Sequence, residues 1–438
     1  MAEKINPKVL VLSATFPPRG GSSVQRVAKQ VKYLQEFGYA PIVMTCSEPN
    51  LSIRDDTLLE DIPPDVEVIR VSKIFGQKGR KRSFSEQNTK THQSSVFTNK
   101  KKKLLPQIRL KRFLYPDEYI IWAFLSFKTV RKKLLKHNIS IIFTSFGSPS
   151  GLLLGYLLKK KYNFPWVVDI RDFWSLNEMK FQYTRRPFPL NIIDSYIEKI
   201  CLRGADHIIV ISDYYKIDLT DKLHIKSDKI DVIWNGFDED DFAGITPKKN
   251  DIFTVRYVGF IIKEQPIESF FQALKELRAD GVITSHKVRL EIVGGSNTSN
   301  ARKLIREYGV KDFVRQIPYQ SHREAIRMMV GSDLLLFIPG LGKGTITGKL
   351  FEYIRSGSSI LMMNQGNDDA VNILTNVDST YIVDAFDIKK IKMTIVSLYE
   401  AWLDGTERRL TNCSASFLNT LSRRSQAKKL TRIFDSKL

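Results

Sequence analysis

The sequence is poor in cysteine. Only Cys46, Cys201 and Cys413 occur in 438 residues, and none stands at metal-ligand spacing from another. A disulfide framework and a structural zinc are therefore not expected, and the scattered thiols suit a reducing compartment. No stretch reaches the ~18 apolar residues that a membrane-crossing helix needs. The apolar run Val9 to Ala14 is too short and wrongly flanked for a secretory signal, so the expected location is the cytosol. Neither Gly-x-Gly-x-x-Gly nor a Walker A pattern is present, which argues against a nicotinamide or flavin; no cofactor is expected. Acidic residues are nearly missing from one long segment. Between Lys78 and Arg112 there are twelve Lys or Arg against the single acid Glu86, about half of the net charge of +21.

The composition that remains is that of a globular protein, 42% hydrophobic and 26% charged, and the length suits two or more domains. Buried-strand patterns fall at Lys8 to Ala14, Ala40 to Cys46, Val66 to Val71, Ile141 to Ser145, Trp166 to Ile170, His207 to Ile211 and Ile230 to Ile233. Helical patterns such as Val24 to Phe37 separate most of them, which predicts a doubly wound parallel α/β sheet. Near Asp238 to Asp251 the pattern breaks into an acidic, then Pro- and Lys-containing connector. Alternation restarts with strands near Phe253 to Val258, Arg289 to Val293, Val314 to Ile317, Leu334 to Ile338 and Ser359 to Met363. The predicted organisation is a Rossmann-like domain over residues 1–240, a second over 250–405 and a helical segment over 406–438. In open parallel sheets, ligands bind beyond the carboxyl ends of the strands, so two such domains should face each other across a cleft.

One segment of the second half is built for an anion. Gly344-Thr-Ile-Thr-Gly-Lys-Leu-Phe-Glu-Tyr353 turns a loop of small residues into a helix that Gly357 ends. Gly344, Thr345, Thr347 and Gly348 let backbone N–H groups approach a phosphate, with the helix dipole behind them. Lys349 adds positive charge at the same end. Glu352 offers a carboxylate to a sugar diol; the alternative is an ordinary helix cap with both side chains solvated. No carboxylate cluster at metal spacing stands out, and Asp368-Asp369 after Asn367 reads as a helix start. His322 opens a helix after Tyr319-Gln320-Ser321 and is expected to make ordinary polar contacts there.

Several pieces in order carry a resemblance. Phe16-Pro-Pro-Arg-Gly-Gly21 with Val24-Gln-Arg-Val27, Trp166-Val-Val-Asp-Ile-Arg-Asp-Phe-Trp174, Gly204-Ala-Asp-His-Ile-Ile-Val-Ile-Ser212, Asn235-Gly-Phe-Asp238 and Gly348-Lys-Leu-Phe-Glu-Tyr353 resemble nucleotide-sugar-dependent glycosyltransferases of the GT-B fold, family-four type. The resemblance implies transfer of a sugar from a nucleoside diphosphate donor with retention, the donor lying on the C-terminal domain and the acceptor on the N-terminal one; no metal is expected, since the N–H groups of Gly344 to Gly348, the helix dipole, Lys263 and Lys349 can meet the charge of the leaving group. It implies that Gly20 and Gly21 approach the diphosphate, that Lys263 contacts it from the other side, and that Glu352 binds ribose. A final helix, Ser422 to Phe434, is expected to cross back onto the N-terminal domain.

Three positions depart from that pattern. Phe260 stands where the family places an arginine, and Gly344 stands eight residues before Glu352, where a glutamate is common. Arg171, next to Asp172, occupies the place of a frequent histidine; these two are expected to touch donor sugar or acceptor, the alternative being a structural ion-pair cluster with Asp169. The basic segment Lys78 to Arg112 contains only Phe84 and Phe97 as aromatic residues, too few for a nucleic-acid platform. It fits instead an anionic membrane surface carrying a lipid-linked saccharide acceptor, or a solvated loop. A nucleotide-sugar epimerase or hydrolase of the same shape would need a general acid/base pair in the cleft, and none is visible.

Overall fold

The fold is seen in a computed structural model of the chain, which describes residues 6–48, 51, 53–73, 114–133, 138–176, 189–261, 265–294, 299–340, 343–406 and 413–438. Seven strands, β1 (Lys8–Leu12), β2 (Ala40–Ser47), β3 (Glu67–Ser72), β4 (Ile139–Ser145), β5 (Trp166–Ile170), β6 (His207–Val210) and β7 (Ile230–Val232), form one sheet in the order β3-β2-β1-β4-β5-β6-β7. Six more, β8 (Phe253–Gly259), β9 (Val288–Gly294), β10 (Val314–Ile317), β11 (Leu334–Phe337), β12 (Ser359–Asn364) and β13 (Thr380–Asp384), form a second in the order β10-β9-β8-β11-β12-β13. Neighbours pair in parallel, as in Val9↔Pro41 and Val255↔Leu290. Two doubly wound sheets are the architecture that the alternation predicts; β13, which Tyr381 and Ile382 leave partly uncovered, has no counterpart in the sequence reading.

Helices α1 (Ser22–Glu36), α2 (Ile120–Lys133), α3 (Pro149–Tyr162), α4 (Leu190–Gly204) and α5 (Asp213–Leu223) connect the first sheet, and the short α6 (Glu239–Phe242) leaves it. The second carries α7 (Ile267–Ala279), α8 (Ser299–Glu307), α9 (His322–Val330), α10 (Gly348–Ser356), α11 (Asp368–Leu374) and α12 (Ile388–Leu403), followed by α13 (Ala415–Thr420) and α14 (Arg423–Asp435). Alternate side chains of β1 divide between two cores, as the pleat requires. Leu10 and Leu12 pack with Trp122 of α2, Leu154 and Leu158 of α3, Cys201 of α4 and Leu219 of α5. Val9 and Val11 face the other way, toward Val27, Val31 and Leu34 of α1. Right-handed crossovers produce this division, since connections running rightward from β3 to β7 lie on one face and those running leftward on the other.

The end of the chain completes the second of these cores. Leu430, Ile433 and Phe434 of α14 join the α1 face of the first sheet, and the Phe434 ring lies 5.5 Å from that of Tyr39 and 5.6 Å from that of Phe143. The Tyr39 hydroxyl donates to Asp435 at 2.5 Å. The last helix is thus core material of the first sheet. Truncation after Leu418 should destabilise that unit by several kcal/mol, because each large apolar side chain withdrawn from a packed core costs roughly 2–5 kcal/mol. Differential scanning calorimetry checks this, and a truncated chain that melts with the parent would make α14 an appendage.

Candidate active site

The geometry of α10 follows from what stands at its start. Thr347 is the N-cap residue but makes no capping bond, and its buried Oγ1 has no hydrogen-bond partner among the described residues. The first N–H groups of the helix lack intrahelical acceptors by construction. Lys349 folds back over the end of β8, its Nζ 4.7 Å from the centre of the Tyr257 ring. A Cβ on Gly259 would stand 2.6 Å from that Nζ, and Gly259 has φ +135°, so only glycine lets the ammonium settle there. Among the described residues Lys349 has no carboxylate partner. The helix thus starts with a hydroxyl and first-turn N–H groups, and the ammonium of its second residue lies at the end of the neighbouring strand, chemistry that suits an anion.

One turn later Glu352 is buried beside α9. Its Oε1 lies 3.7 Å from Nε2 of His322, which also stands 3.1 Å from Asp241 Oδ2 of α6. The other ring nitrogen is 2.8 Å from Gln25 Nε2 of α1, and the His322 backbone N–H donates to Asp55 at 3.0 Å. Gln25 lies within the first turn after Gly20-Gly21, so this chain of contacts joins the glycine loop of the first domain to the carboxylate of the second. Burial acts to lower the His322 pKa, but Glu352 and Asp241 outweigh it and raise it above 6.5. Asp241 is held well below the usual carboxylate range: burial opposes this, and His322 and Lys29 prevail.

The loop before α10 leans on the first domain. Tyr215 Oη and Thr345 Oγ1 are 3.3 Å apart and Asn235 Nδ2 donates to Ile346 O at 2.7 Å, while from its own domain Asn367 Nδ2 donates to Thr345 O at 3.1 Å. Gly344, at φ +77°, faces Tyr214 so closely that a Cβ would come within 2.5 Å of the Tyr214 Cβ and 2.9 Å of Ser212 Oγ. A glutamate at this position would not fit the observed arrangement. Its absence from the sequence has a steric counterpart in the structure.

Arg171 is buried under the glycine loop. Its guanidinium donates to Phe146 O at 2.9 and 3.2 Å and to Ser23 O, bracing the β4 loop against the start of α1. Asp172 beside it is exposed, whereas Asp169 is fully buried and holds Arg26 of α1 at 2.7 and 2.9 Å. Gly20 donates its N–H to Ile53 O at 3.1 Å. Lys263 lies outside the described residues, as does the segment Lys78 to Arg112. Gln25 and Asp241 had no role in the sequence reading. Gln25 lies on α1 and Asp241 on α6, and both meet His322 of α9, so only the fold brings them together.

The raised His322 pKa has a direct consequence for stability. A histidine whose folded pKa exceeds its unfolded value stabilises fully below the unfolded value, 6.5, and loses that contribution as pH rises through the folded one. His322→Gln should therefore cost roughly 1–3 kcal/mol in acid and progressively less above that value. Urea denaturation of parent and variant on both sides of pH 6.5 measures it. A difference that stays constant with pH would deny His322 its charge.

Residues 85–241 match the profile of glycosyltransferase family 4. No curated protein matches the chain by sequence. Among solved structures the chain is similar to a sucrose-phosphate synthase from Thermosynechococcus elongatus, at 15% identity and TM-score 0.67 over 98% of each chain. It is similar also to a glycosyltransferase from Rickettsia africae, at 15% identity and TM-score 0.64 over 98% of each. A third is HepE of Anabaena in complex with UDP and glucose, at 12% identity and TM-score 0.64 over 98% of this chain and 100% of that one. At such identities these structures speak for the fold, and the family match speaks for the first domain. The chain thus has the two-sheet fold of these glycosyltransferases, and its residues 85–241 carry the match to glycosyltransferase family 4.

Proposed function

We propose that the protein transfers a sugar from a nucleoside diphosphate donor to a saccharide or lipid-linked saccharide, with retention, in the assembly of a surface polysaccharide. The observation that carries this reading is the start of α10, which offers the Thr347 hydroxyl, the first-turn N–H groups and a Lys349 with no carboxylate partner among the described residues. The UDP and glucose held by HepE show what a similar fold accommodates and are consistent with a diphosphate here. As the bond between the anomeric carbon and the phosphate oxygen breaks, negative charge grows on the leaving diphosphate. Donors aimed at it lower the barrier, and they act more strongly in a closed, dry cleft. Lys349 and the helix supply that charge, so a metal is not needed for departure; Lys263, by resemblance, adds to it. The acceptor hydroxyl attacks the same face that the diphosphate leaves, and a departing phosphate oxygen takes its proton. Glu352 accepts hydroxyl bonds of the donor ribose. Arg171 and Asp172, beside the glycine loop Gly20-Gly21, stand on the acceptor side. The basic segment Lys78 to Arg112 attaches the enzyme to an anionic cytoplasmic membrane face where a lipid-linked acceptor is presented.

Calorimetry with nucleoside diphosphates tests the donor site. Glu352→Gln, which preserves volume, should weaken binding by roughly 1.5–3 kcal/mol, since a charge-assisted bond to a hydroxyl is lost. Unaltered affinity for every nucleoside diphosphate would remove Glu352 from the site. Turnover tests the leaving-group argument separately. Lys349→Ala and Lys263→Ala should each lower kcat on the order of 10²-fold with a smaller effect on affinity, because their charges matter most as the diphosphate departs. Rates equal to the parent's would exclude the lysine concerned.

A further inference from the structure

Glu352 is a buried charge with little to hold it. Among the described residues no hydrogen bond reaches its carboxylate, and its ion-pair contact with His322 Nε2, at 3.7 Å, is too long to be one. An ionised carboxylate accepts up to about four bonds, so most of its capacity is open to a ligand. The direction of the carboxylate then depends on a single neighbour.

That neighbour is fixed from outside its own domain. His322 opens α9 of the second domain, yet the groups that hold it lie elsewhere. Nε2 stands 3.1 Å from Asp241 of α6, Nδ1 stands 2.8 Å from Gln25 of α1, and the backbone N–H donates at 3.0 Å to Asp55, which caps the 3-10 turn Asp56–Leu59. Lys29 of α1 adds a cation 2.7 Å from Asp241, and Tyr319, on the approach to α9, bonds Asp55 at 3.4 Å. From β8, Arg256 acts at the other end of α9, on the carbonyls of Met328 and Gly331.

Gln25 can serve either state of the ring. With Nε2–H donating to Asp241, a neutral imidazole presents Nδ1 as an acceptor for the Gln25 amide N–H. An imidazolium donates there instead, and the amide turns its oxygen to meet it.

We infer that His322 is a positioning residue for the donor: it directs the Glu352 carboxylate to the ribose, and through Gln25, Asp55 and Asp241 that direction is set by the first domain and the connector. This rests on the reading of Glu352 as the ribose ligand and adds what aims it. The charge of the ring matters. An imidazolium stands between Glu352 and Asp241 as their shared cation, whereas a neutral ring leaves two like charges around one nitrogen. The diphosphate brings further negative charge to the start of α10, which favours the imidazolium again. Burial opposes that form, but Glu352 and Asp241 hold the pKa above 6.5. Donor affinity is therefore greater below the folded pKa and falls as pH rises through it.

Two measurements on the full chain test this. NMR titration of labelled histidine rings reads His322 without any ligand; the chain has six histidines, and the His322 signal is the one that His322→Gln removes. Glu352→Gln should move its titration to lower pH. Gln25→Glu, which sets a carboxylate beside Nδ1, should move it higher. Calorimetry with UDP, GDP and ADP reads the donor site: between about pH 6 and about pH 9 the parent's affinity should fall roughly tenfold more than that of His322→Gln, whose side chain bonds but carries no charge. The last proton of the diphosphate, near pH 6, is common to both proteins, so their difference carries the result. If His322→Gln does not fold, Gln25→Glu replaces it, and its affinity should begin to fall at higher pH than the parent's. A His322 titration that Glu352→Gln leaves in place overturns the inference whatever the nucleotides do. So does a His322→Gln chain that keeps the parent's pH dependence, and if Glu352→Gln still weakens nucleotide binding, the ribose reading survives that failure. Unaltered binding of all three nucleotides by Glu352→Gln removes both. If none of the three binds the parent, the ring titration decides alone.

Discussion

A buried ammonium fixes the arrangement of the whole molecule. Lys29 of α1 is 1% exposed, and its Nζ lies 2.7 Å from a carboxylate oxygen of each of Asp61, Asp238 and Asp241. Removing a charge from water costs several kcal/mol unless it is paired and hydrogen-bonded, so these contacts hold together or fail together. The acids come from different places: Asp61 follows the 3-10 turn Asp56–Leu59, and Asp238 and Asp241 belong to the connector between the sheets. One lysine therefore ties the first helix of one domain to the hinge that leads to the other. The cluster would still carry excess negative charge. Lys32, 2.8 Å from Asp238, and His322, 3.1 Å from Asp241, supply the remaining cations.

That balance reaches the chemistry through His322. The same imidazole that completes the cluster lies 3.7 Å from Glu352, one turn beyond the lysine at the start of α10. A sugar diol that engages Glu352 must share it with, or take it from, His322. The charge of His322 is thus shared between Glu352 and the connector acid Asp241, and a change at one carboxylate is felt at the other. Arg26, bound to Asp169 and to the carbonyls of Ile233 and Trp234, holds α1 to the far end of the first sheet, so the helix transmits rather than absorbs such a change.

The sequence revealed elements whose cause is local. Val9 to Leu12, Trp166 to Ile170 and Leu334 to Phe337 are continuous apolar runs because both faces of a central parallel strand are covered, and such runs are readable. β13 escaped because an edge strand with one covered face, Thr380–Asp384, carries a weaker pattern. The helix start at Gly348 was legible for the same local reason, through its glycines and its lysine. The partners of Glu352 were not. Proximity of residues 25, 241, 322 and 352 is a product of chain crossing, and no spacing in the sequence encodes it. Arg171 illustrates the other limit: its place at a strand end was plain, but only the fold shows its donors directed to backbone carbonyls.

Gly344 shows how a local departure can follow from a domain contact. With Tyr214 and Ser212 pressed against it, the loop before α10 has no room for a side chain, while Tyr215 and Asn235 of the first domain bond to its next two residues. The wall of this loop is thus built jointly by both domains. Glycine at position 344 therefore answers to a contact between the domains and not to the turn alone. The Lys29 cluster, through His322, and the loop before α10, through Tyr215 and Asn235, both lie where the two domains touch.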